Sequence, residues 1–309
     1  MPFAFLHYDV FTGTPLLGNQ LAVFPDARGL DTAKMQAIAN EMNFAESTFI
    51  LPAETAGTDA RMRIFTPHVE MPMAGHPTIG STFALAQLGV IAAGAPRFTF
   101  GLNIGPTPVD LEWREGHLAF AWMTQLPPAF GRIVTDRAVV ASALGLEPGD
   151  LVDGLPVQEV SCGVPFLFVP LRDRATVDRA VSDSAGFRRL AEQIGDLRAM
   201  FLFAVSPAGS PETAYSRMFA HGLGIVEDPA TGSASGPLGC YLVRHGLVGG
   251  HTAGAPSATP AVHHIVSRQG VAMGRASTIH IAIDGTGDAI TGVRVGGEAV
   301  LVARGELMV

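Results

Sequence analysis

Short apolar runs alternate with polar and glycine-rich connections along most of this chain. Runs of this length that are rich in β-branched and aromatic residues indicate strands. In the first half they predict strands at 3–10, 21–24, 47–51, 61–66, 97–100, 109–113 and 118–123. Asp31 precedes apolar residues at helical spacing, which predicts a helix capped by this side chain and ending near Asn43.

A second helix, predicted over 77–88 and closed by Gly89, has almost no polar face. Helices of this kind are surrounded by protein on all sides, so we place it inside a curled sheet. A similar apolar helix is predicted over 233–244. Its Pro237 is expected to fall among the first-turn donors, which lack helical partners in any case.

The second half repeats this mixture of strands and helices. Its predicted helices lie at 137–144 and 175–193, and its predicted strands at 156–160, 166–169, 199–205, 279–283, 290–295 and 299–303. Residues 249–260 form a loose stretch of glycine, alanine and proline. The whole pattern favours an α+β fold, and residues 125–128 mark a junction between domains.

One segment of the chain resembles another. Starting at Arg63 the chain is RIFTPHVEMPMAGHPTIGSTFAL, and starting at Arg217 it is RMFAHGLGIVEDPATGSASGPLGCYL. His76 and Asp228, at equivalent places, are 152 positions apart (228 − 76) in a chain of 309 residues. We therefore predict two pseudo-symmetric domains whose matching turns meet across a cleft. The N-terminal lobe covers 1–126, completed by a strand at 295–309, and the C-terminal lobe covers 129–294.

Composition narrows the possible functions. Hydrophobic residues make up 48% and charged residues 16% of the chain, which is typical of a folded globular protein. The net charge of −8, without a cluster of basic residues, argues against nucleic acid or an anionic membrane as partner. No signal peptide or membrane span is evident in the sequence, so we expect a cytoplasmic protein.

Reactive side chains are few. Cys162 and Cys240 are the two cysteines, too few for a disulfide framework or the usual paired thiolates of structural zinc, and we expect both to be buried. Lys34 is the one lysine and lies in the first predicted helix, where it should face water. Schiff-base chemistry is therefore disfavoured.

Glu46 is the first candidate for proton transfer. It follows a helix end and has Phe44, Ala45, Phe49 and Ile50 nearby in sequence, so we expect apolar surroundings to raise its pKa. Such a carboxyl group can take and return a proton near neutral pH. The alternative is a surface or capping glutamate.

His76 and Asp228 each precede a proline, which we expect to open a buried helix. Unpaired N–H groups and the helix dipole make such a helix start a site for negative charge, here a small carboxylate. The alternative for each residue is a simple helix cap. Gly75 and Gly232 would allow a ligand close to the backbone, and Ser233 adds a hydroxyl donor.

Several common motifs fail. Residues 232–236 are G-S-A-S-G, which puts alanine where a hydrolase nucleophile should be. His263 and His264 lack acidic or thiol partners at metal spacing, so we predict no metal site. The sequence contains no dinucleotide or phosphate-loop signature, and we expect no nucleotide cofactor.

These residues taken together resemble the phenazine-biosynthesis PhzF-like family, within the group typified by diaminopimelate epimerase. The resemblance covers the whole chain and is specific in its combination of motifs. They are D-V-F-T at 9–12, G-N at 18–19, N-F-A-E-S-T at 43–48, F-T-P at 65–67, G-H-P-T at 75–78, E-D-P-A-T-G-S-A at 227–234, Q-G at 269–270 and G-R at 274–275. It implies two domains, each with a curved, mostly antiparallel, barrel-like sheet around a central buried helix, and a homodimer.

The resemblance also implies an isomerase without metal or organic cofactor, acting on a dihydro-hydroxyanthranilate or a related small carboxylate. Glu46 would shuttle the proton, assisted by His76 and Asp228, while Ser233 would contact the substrate. Further substrate-binding positions implied by the motifs are Gly18, Asn19, Gly75, Thr78, Thr231 and Gly232.

Two alternatives stay open. One is a non-catalytic protein that binds a small molecule in the same cleft. The other is a cofactor-independent epimerase in which Glu46 and His76 act as opposed bases. A two-thiol racemase, as in the wider group, is disfavoured because Cys240 falls well inside the second apolar helix.

Overall fold

The computed structural model describes residues 2–248 and 262–309, so the stretch predicted to be loose at 249–260 lies outside the described residues. The chain forms two compact units. Unit 1 comprises Met1–Thr124, Gly274–Thr278 and Val295–Val309, and unit 2 comprises Gln125–Met273 and Ile279–Arg294. Gly274–Thr278, which the sequence pattern places in the second lobe, therefore lies in unit 1.

Unit 1 is a sheet with two helices. Its elements are β1 (Pro2–Val10), β2 (Asn19–Phe24), α1 (Thr32–Met42), β3 (Glu46–Leu51), β4 (Ala60–Phe65), β5 (Glu70–Met71), α2 (Gly75–Gln87), β6 (Arg97–Leu102), β7 (Gly105–Arg114), β8 (His117–Thr124) and β18 (Ala299–Met308). Neighbours pair antiparallel, except that β2 runs parallel to β3 and β4 parallel to β6. β18, from the far end of the chain, pairs with β1.

Helix α2 lies at the centre of unit 1. Its residues from Gly75 to Leu85 are all buried, and β1, β2, β3, β8 and β18 all contact it. At Gly80 a Cβ atom would lie 2.6 Å from Leu21 Cδ2 and 2.7 Å from Val10 Cγ2, so only glycine allows this approach. The prediction of a buried helix wrapped by a sheet is confirmed, with its start two residues earlier than predicted.

Helix α1 covers one outer side of this sheet. Asp31 accepts a hydrogen bond from the Lys34 N–H, and Asn43 ends the helix in the left-handed conformation, as the sequence predicts. Met35, Ile38 and Ala39 pack with the aromatic side chains of β2, β3 and β4. The left-handed residue turns the chain directly towards β3, whose first residue is Glu46.

Unit 2 has the same kind of architecture. Its elements are β9 (Ala129–Val134), α3 (Arg137–Ala143), β10 (Val157–Ser161), β11 (Pro165–Pro170), α4 (Arg174–Arg179), α5 (Ser184–Ile194), β12 (Met200–Val205), β13 (Ala214–Ala220), β14 (Ile225–Asp228), α6 (Gly232–Arg244), β15 (Val262–Gln269), β16 (Ser277–Thr286) and β17 (Ala289–Gly297). β11 runs parallel to β12 and β13 parallel to β15, whereas β9, β10 and β11 pair antiparallel in turn, as β12, β13 and β14 do.

Two helix predictions in this unit are wrong in detail. The helix predicted at 175–193 is interrupted, because Ala180 is extended and Asp183 caps a new helix by accepting the Gly186 N–H. α6 begins at Gly232, since the Ser235 N–H already donates to the Thr231 carbonyl. Pro237 is therefore the sixth residue of α6 and removes a hydrogen bond inside the helix.

The two units pair their strands in the same order. In unit 1, successive strands from β1 to β4 form an antiparallel, a parallel and an antiparallel pair, and β4 then pairs parallel with β6. In unit 2, successive strands from β10 to β13 form the same three kinds of pair, and β13 then pairs parallel with β15. The α+β prediction, with curved sheets and few helices, is confirmed. The internal duplication of the sequence stays a prediction.

The Arg-x-Phe segment has the same local structure in each unit. Arg63 forms two hydrogen bonds to the Glu70 carboxylate and lies over the Phe65 ring. Arg217 forms two hydrogen bonds to the Glu227 carboxylate and lies over Phe219. In each case a bidentate ion pair joins the strand to the short strand that follows it, just before the central helix.

Candidate active site

Glu46 and His76 lie in contact in unit 1. Glu46 is the first residue of β3, and His76 is the second residue of α2. The distance between Glu46 Oε2 and His76 Nδ1 is 3.1 Å, and the two side chains are 12% and 3% exposed. This is a hydrogen-bond distance, so the structure brings Glu46, the residue predicted to move the proton, together with His76, which is predicted to assist it.

His76 is held in its neutral form. Burial lowers the pKa of His76 to about 3, and a backbone hydrogen bond with Gln20 acts in the opposite direction. Its Nε2 atom has no hydrogen-bond partner in the described part of the chain. At neutral pH the imidazole is therefore uncharged and carries a single proton.

Asn19 also contacts His76. It is the first residue of β2, is 1% exposed, and places its Nδ2 atom 3.1 Å from His76 Nδ1. Gly18 precedes it with a φ of +69°, and a Cβ there would lie 2.4 Å from the Val10 carbonyl oxygen. Both residues are predicted to bind substrate, and the structure shows that Asn19 reaches the predicted catalytic pair.

An arginine far along the chain fixes the turn before Asn19. Arg275 donates from Nε to the Gly18 carbonyl at 2.7 Å and from its terminal nitrogens to the Leu16 and Leu17 carbonyls. It also forms an ion pair with the buried carboxylate of Asp9, which in turn accepts the Leu16 N–H at 2.6 Å. The sequence alone predicts no role for Arg275, although its G-R motif is part of the family resemblance.

The start of α2 supplies backbone donors beside this pair. Gly75 is the first helical residue, and the N-cap residue Ala74 makes no side-chain capping bond. N–H groups in a first turn lack helical partners and attract negative charge. Thr78 is fully buried, and its hydroxyl donates to the Ala74 carbonyl at 2.7 Å. The hydroxyl proton of this predicted substrate-binding residue is thus used within the helix.

In unit 2, Asp228 ends β14 and is 5% exposed. Its Oδ2 atom accepts a hydrogen bond from the Thr231 hydroxyl at 2.5 Å. Gln269 donates from Nε2 to the Asp228 carbonyl and the Thr231 hydroxyl oxygen, and accepts the Thr231 N–H. Gln269 therefore fixes both residues, a role not predicted although the Q-G motif is present in the sequence.

The start of α6 follows directly. Gly232 and Ser233 are its first two residues, and Ser233 is half-buried. The Gly232 carbonyl accepts a hydrogen bond from Gln125 Nε2 at 2.9 Å, a contact that sequence reasoning missed. The expectation that a proline opens each helix is wrong. Pro229 lies three residues before α6, and Pro77 is the third residue of α2.

The remaining candidates lie elsewhere in unit 2. Cys162 and Cys240 are both buried free thiols, as predicted, with their sulfur atoms 3.9 Å apart. His263 Nε2 is 3.0 Å from the Gly285 carbonyl oxygen. Across residues 2–248 and 262–309, no group of three or more His, Cys, Asp or Glu side chains is placed to bind a metal ion.

Comparison with known proteins shows the family. The family model described as phenazine biosynthesis-like protein, PhzC-PhzF, matches residues 8–305. The chain belongs to this PhzF family. A Mesorhizobium japonicum protein named an uncharacterised isomerase is 35% identical, covering 99% of this chain and 98% of its own length. The trans-2,3-dihydro-3-hydroxyanthranilate isomerase of Pseudomonas aeruginosa is 34% identical, covering 96% of each chain.

A solved PhzF-family structure has the same fold. The phenazine biosynthesis protein of Bacillus anthracis superposes with a TM-score of 0.86, 26% sequence identity and complete coverage of both chains. The predicted family and the diaminopimelate epimerase-like fold are therefore confirmed. The curated relatives carry isomerase names, and this member of the PhzF family is an isomerase too. None of the helices in its described residues is long and apolar enough to cross a membrane.

Proposed function

We propose that the protein is a cofactor-independent isomerase that moves a proton between two carbons of a small carboxylic acid. The Glu46–His76 contact carries this proposal, since it puts a carboxyl group that is mostly shielded from water beside a neutral imidazole. The substrate proposed is a dihydro-hydroxyanthranilate or a related metabolite, by analogy with the Pseudomonas aeruginosa relative.

In the proposed reaction, the Glu46 carboxylate removes a proton from one carbon, and the electron pair left behind is delocalised over the conjugated system. The protonated carboxyl group then returns a proton to another carbon, so that substrate and product differ in the position of a double bond. Glu46 ends as it began, and no other reactant is consumed.

The substrate's carboxylate would bind at backbone donors of a helix start. The first turn of α2, beside Glu46, offers such donors without a competing side-chain cap. In unit 2, Asp228, Thr231 and Ser233 lie at the start of α6. We propose that they act in the same reaction, with Asp228 orienting a polar group of the substrate and Ser233 donating a hydrogen bond.

The epimerase alternative fits the structure less well. Two opposed bases must flank a stereocentre, with the substrate carbon between them. Glu46 Oε2 and His76 Nδ1 are 3.1 Å apart, a hydrogen-bond distance that leaves no space for a carbon atom. Relocation of a proton on one face by Glu46 alone agrees better with this contact.

The experiment compares Glu46→Gln with the wild type on trans-2,3-dihydro-3-hydroxyanthranilate and related acids in deuterated water. Because the amide cannot accept the proton, we expect kcat to fall by about 10² to 10⁴-fold or more with substrate binding largely unchanged. Glu41→Gln, at an exposed glutamate in α1, is the matched control and should keep full activity. Wild-type turnover in Glu46→Gln would exclude this role.

The same experiment separates an enzyme from a binding protein. Deuterium uptake into bound ligand requires proton transfer, whereas a non-catalytic protein would bind the acid without exchange. The homodimer and the cytoplasmic location stay predictions, to be checked by light scattering and by cell fractionation.

A further inference from the structure

We propose that Asn19 is a positioning residue. By donating a hydrogen bond to His76 Nδ1, it keeps a lone pair on that nitrogen in place of a proton. A proton shared between His76 and Glu46 is thereby directed towards Glu46. This inference rests on the proposed function and deepens it. It also differs from the sequence-based expectation that Asn19 binds substrate.

Two side chains contact a single nitrogen atom of the His76 ring. Asn19 Nδ2 and Glu46 Oε2 are each 3.1 Å from His76 Nδ1. In the neutral ring this nitrogen has either one N–H or one lone pair in the ring plane. An amide N–H needs the lone pair, whereas an ionised carboxylate needs the N–H. The two contacts therefore favour opposite tautomers of His76.

When the Asn19 amide donates to Nδ1, the ring proton resides on Nε2. With its lone pair occupied by the amide, Nδ1 offers no N–H to the Glu46 carboxylate, and the 3.1 Å contact does not stabilise the ionised form. Without the amide donor, Nδ1–H would donate to the carboxylate and stabilise its ionised form. Asn19 thus withholds a hydrogen bond that would weaken Glu46 as a base towards carbon.

The amide is held in place by the chain around it. Arg275 binds the three carbonyl groups of 16–18, and Gly18 adopts a left-handed conformation that packs against Val10. Asn19 itself is paired in β2 with Val10 of β1. These contacts fix the backbone that carries the Asn19 side chain beside Nδ1.

Other groups near the ring also influence its tautomer. The charges of Asp9 and Arg275 are paired with each other. The Gln20 backbone contact favours a protonated ring and therefore opposes Asn19. Nε2 has no hydrogen-bond partner in the described part of the chain, so a proton on Nε2 has no acceptor there and this also opposes the effect of Asn19.

The test measures the tautomer of His76 and the kinetics together. Asn19→Asp keeps the shape of the side chain but replaces its N–H donor by an acceptor. Asn19→Leu removes both the N–H donor and the carbonyl acceptor. In each variant we expect the ¹⁵N NMR signals of His76 to show the proton moving from Nε2 to Nδ1. For Asn19→Leu, we also expect kcat to fall about tenfold with KM unchanged.

Three comparisons keep the test decisive. His76 is assigned among the ten histidines from the spectrum of His76→Asn. Asn40→Leu, at an exposed asparagine in α1, is the matched control and should change neither the tautomer nor kcat. Asn19→Asp keeps the test valid if Asn19→Leu fails to fold, because the tautomer is read in the free protein.

The outcomes are distinguishable from failure of the proposed function. A rise in KM with an unchanged tautomer would overturn the inference and favour direct substrate binding by Asn19. An Nδ1 proton already present in the wild type would also overturn it. Activity retained in Glu46→Gln would reject the proposed function, whereas the tautomer measurement needs no turnover.

Discussion

At the scale of single residues, His76 links the candidate site to the stability of the protein. The folded state keeps this ring neutral, since burial lowers the pKa of His76 from 6.5 to about 3. The unfolded chain binds a proton at the same ring below pH 6.5. Stability from this residue is therefore fully present above that pH and is lost as the pH falls towards 3.

We expect the free energy of unfolding to fall by about 2 kcal/mol from this residue alone between pH 7.5 and pH 5. Urea unfolding at both pH values, for the wild type and for His76→Asn, measures the difference. The variant should lose less stability on acidification. His68→Asn, at an exposed histidine, should keep the wild-type slope. Equal slopes in all three proteins would contradict the lowered pKa.

Sequence reasoning identifies Glu46 by its place after a helix end, and His76 and Asp228 by their place directly before a proline. It missed the function of Arg275, which contacts Asp9 across 266 positions of sequence. Local patterns carry no information on which distant side chain satisfies a buried carboxylate. The same reason explains why Gln269 was not linked to Asp228.

At the scale of elements, the central helices depend on glycine at their contacts with the sheet. A Cβ at Gly80 in α2 would lie 2.6 Å from Leu21, and one at Gly239 in α6 would lie 2.6 Å from Ile281. Distances below 3 Å require the neighbouring side chains to move. Close packing therefore outweighs the higher helix propensity of alanine at these positions.

We expect Gly80→Ala and Gly239→Ala each to lower the free energy of unfolding by about 1 to 3 kcal/mol. Gly149→Ala is the control, because a Cβ at this exposed position meets no atom within 4 Å. It should change stability by less than about 0.5 kcal/mol. Chemical denaturation of the three variants provides the measurement. A higher free energy of unfolding for Gly80→Ala would show that the packing around α2 can accommodate the added methyl group.

Helix boundaries were predictable where a side chain marks them. Asp31 caps α1 through its carboxylate, and this start was predicted correctly. α6 starts after Thr231, whose side chain makes no capping bond and instead donates to Asp228. A helix start that is defined only by backbone hydrogen bonds cannot be recognised in the sequence. The predicted start of α6 was therefore one residue too late, which placed Pro237 too near the beginning of the helix.

At the scale of the whole molecule, unit 1 is assembled from three separate stretches of chain. Its strand β1 pairs along its full length with β18, from Pro2 opposite Met308 to Val10 opposite Ala299. Leu307 of β18 also packs against the apolar cluster under α1. The first 124 residues therefore lack part of their own sheet and core.

We expect a chain that ends at Gly297 to lose cooperative unfolding of unit 1 and to aggregate, because an edge of β1 is left without its partner. Removal of Val309 alone is the control, since this residue is 44% exposed. Solubility and thermal unfolding of the two truncated proteins provide the comparison. A soluble chain ending at Gly297 with a normal unfolding transition would show that β18 is dispensable.

The late arrival of β18 has a consequence for protein synthesis in the cell. About 170 residues separate Thr124 from Val295, and at 5 to 20 residues per second the ribosome needs roughly 10 to 30 seconds to translate them. Throughout that interval the nascent N-terminal segment has emerged with an incomplete sheet. Molecular chaperones that bind exposed strands are therefore expected to engage this polypeptide during translation and to release it once β18 has paired with β1.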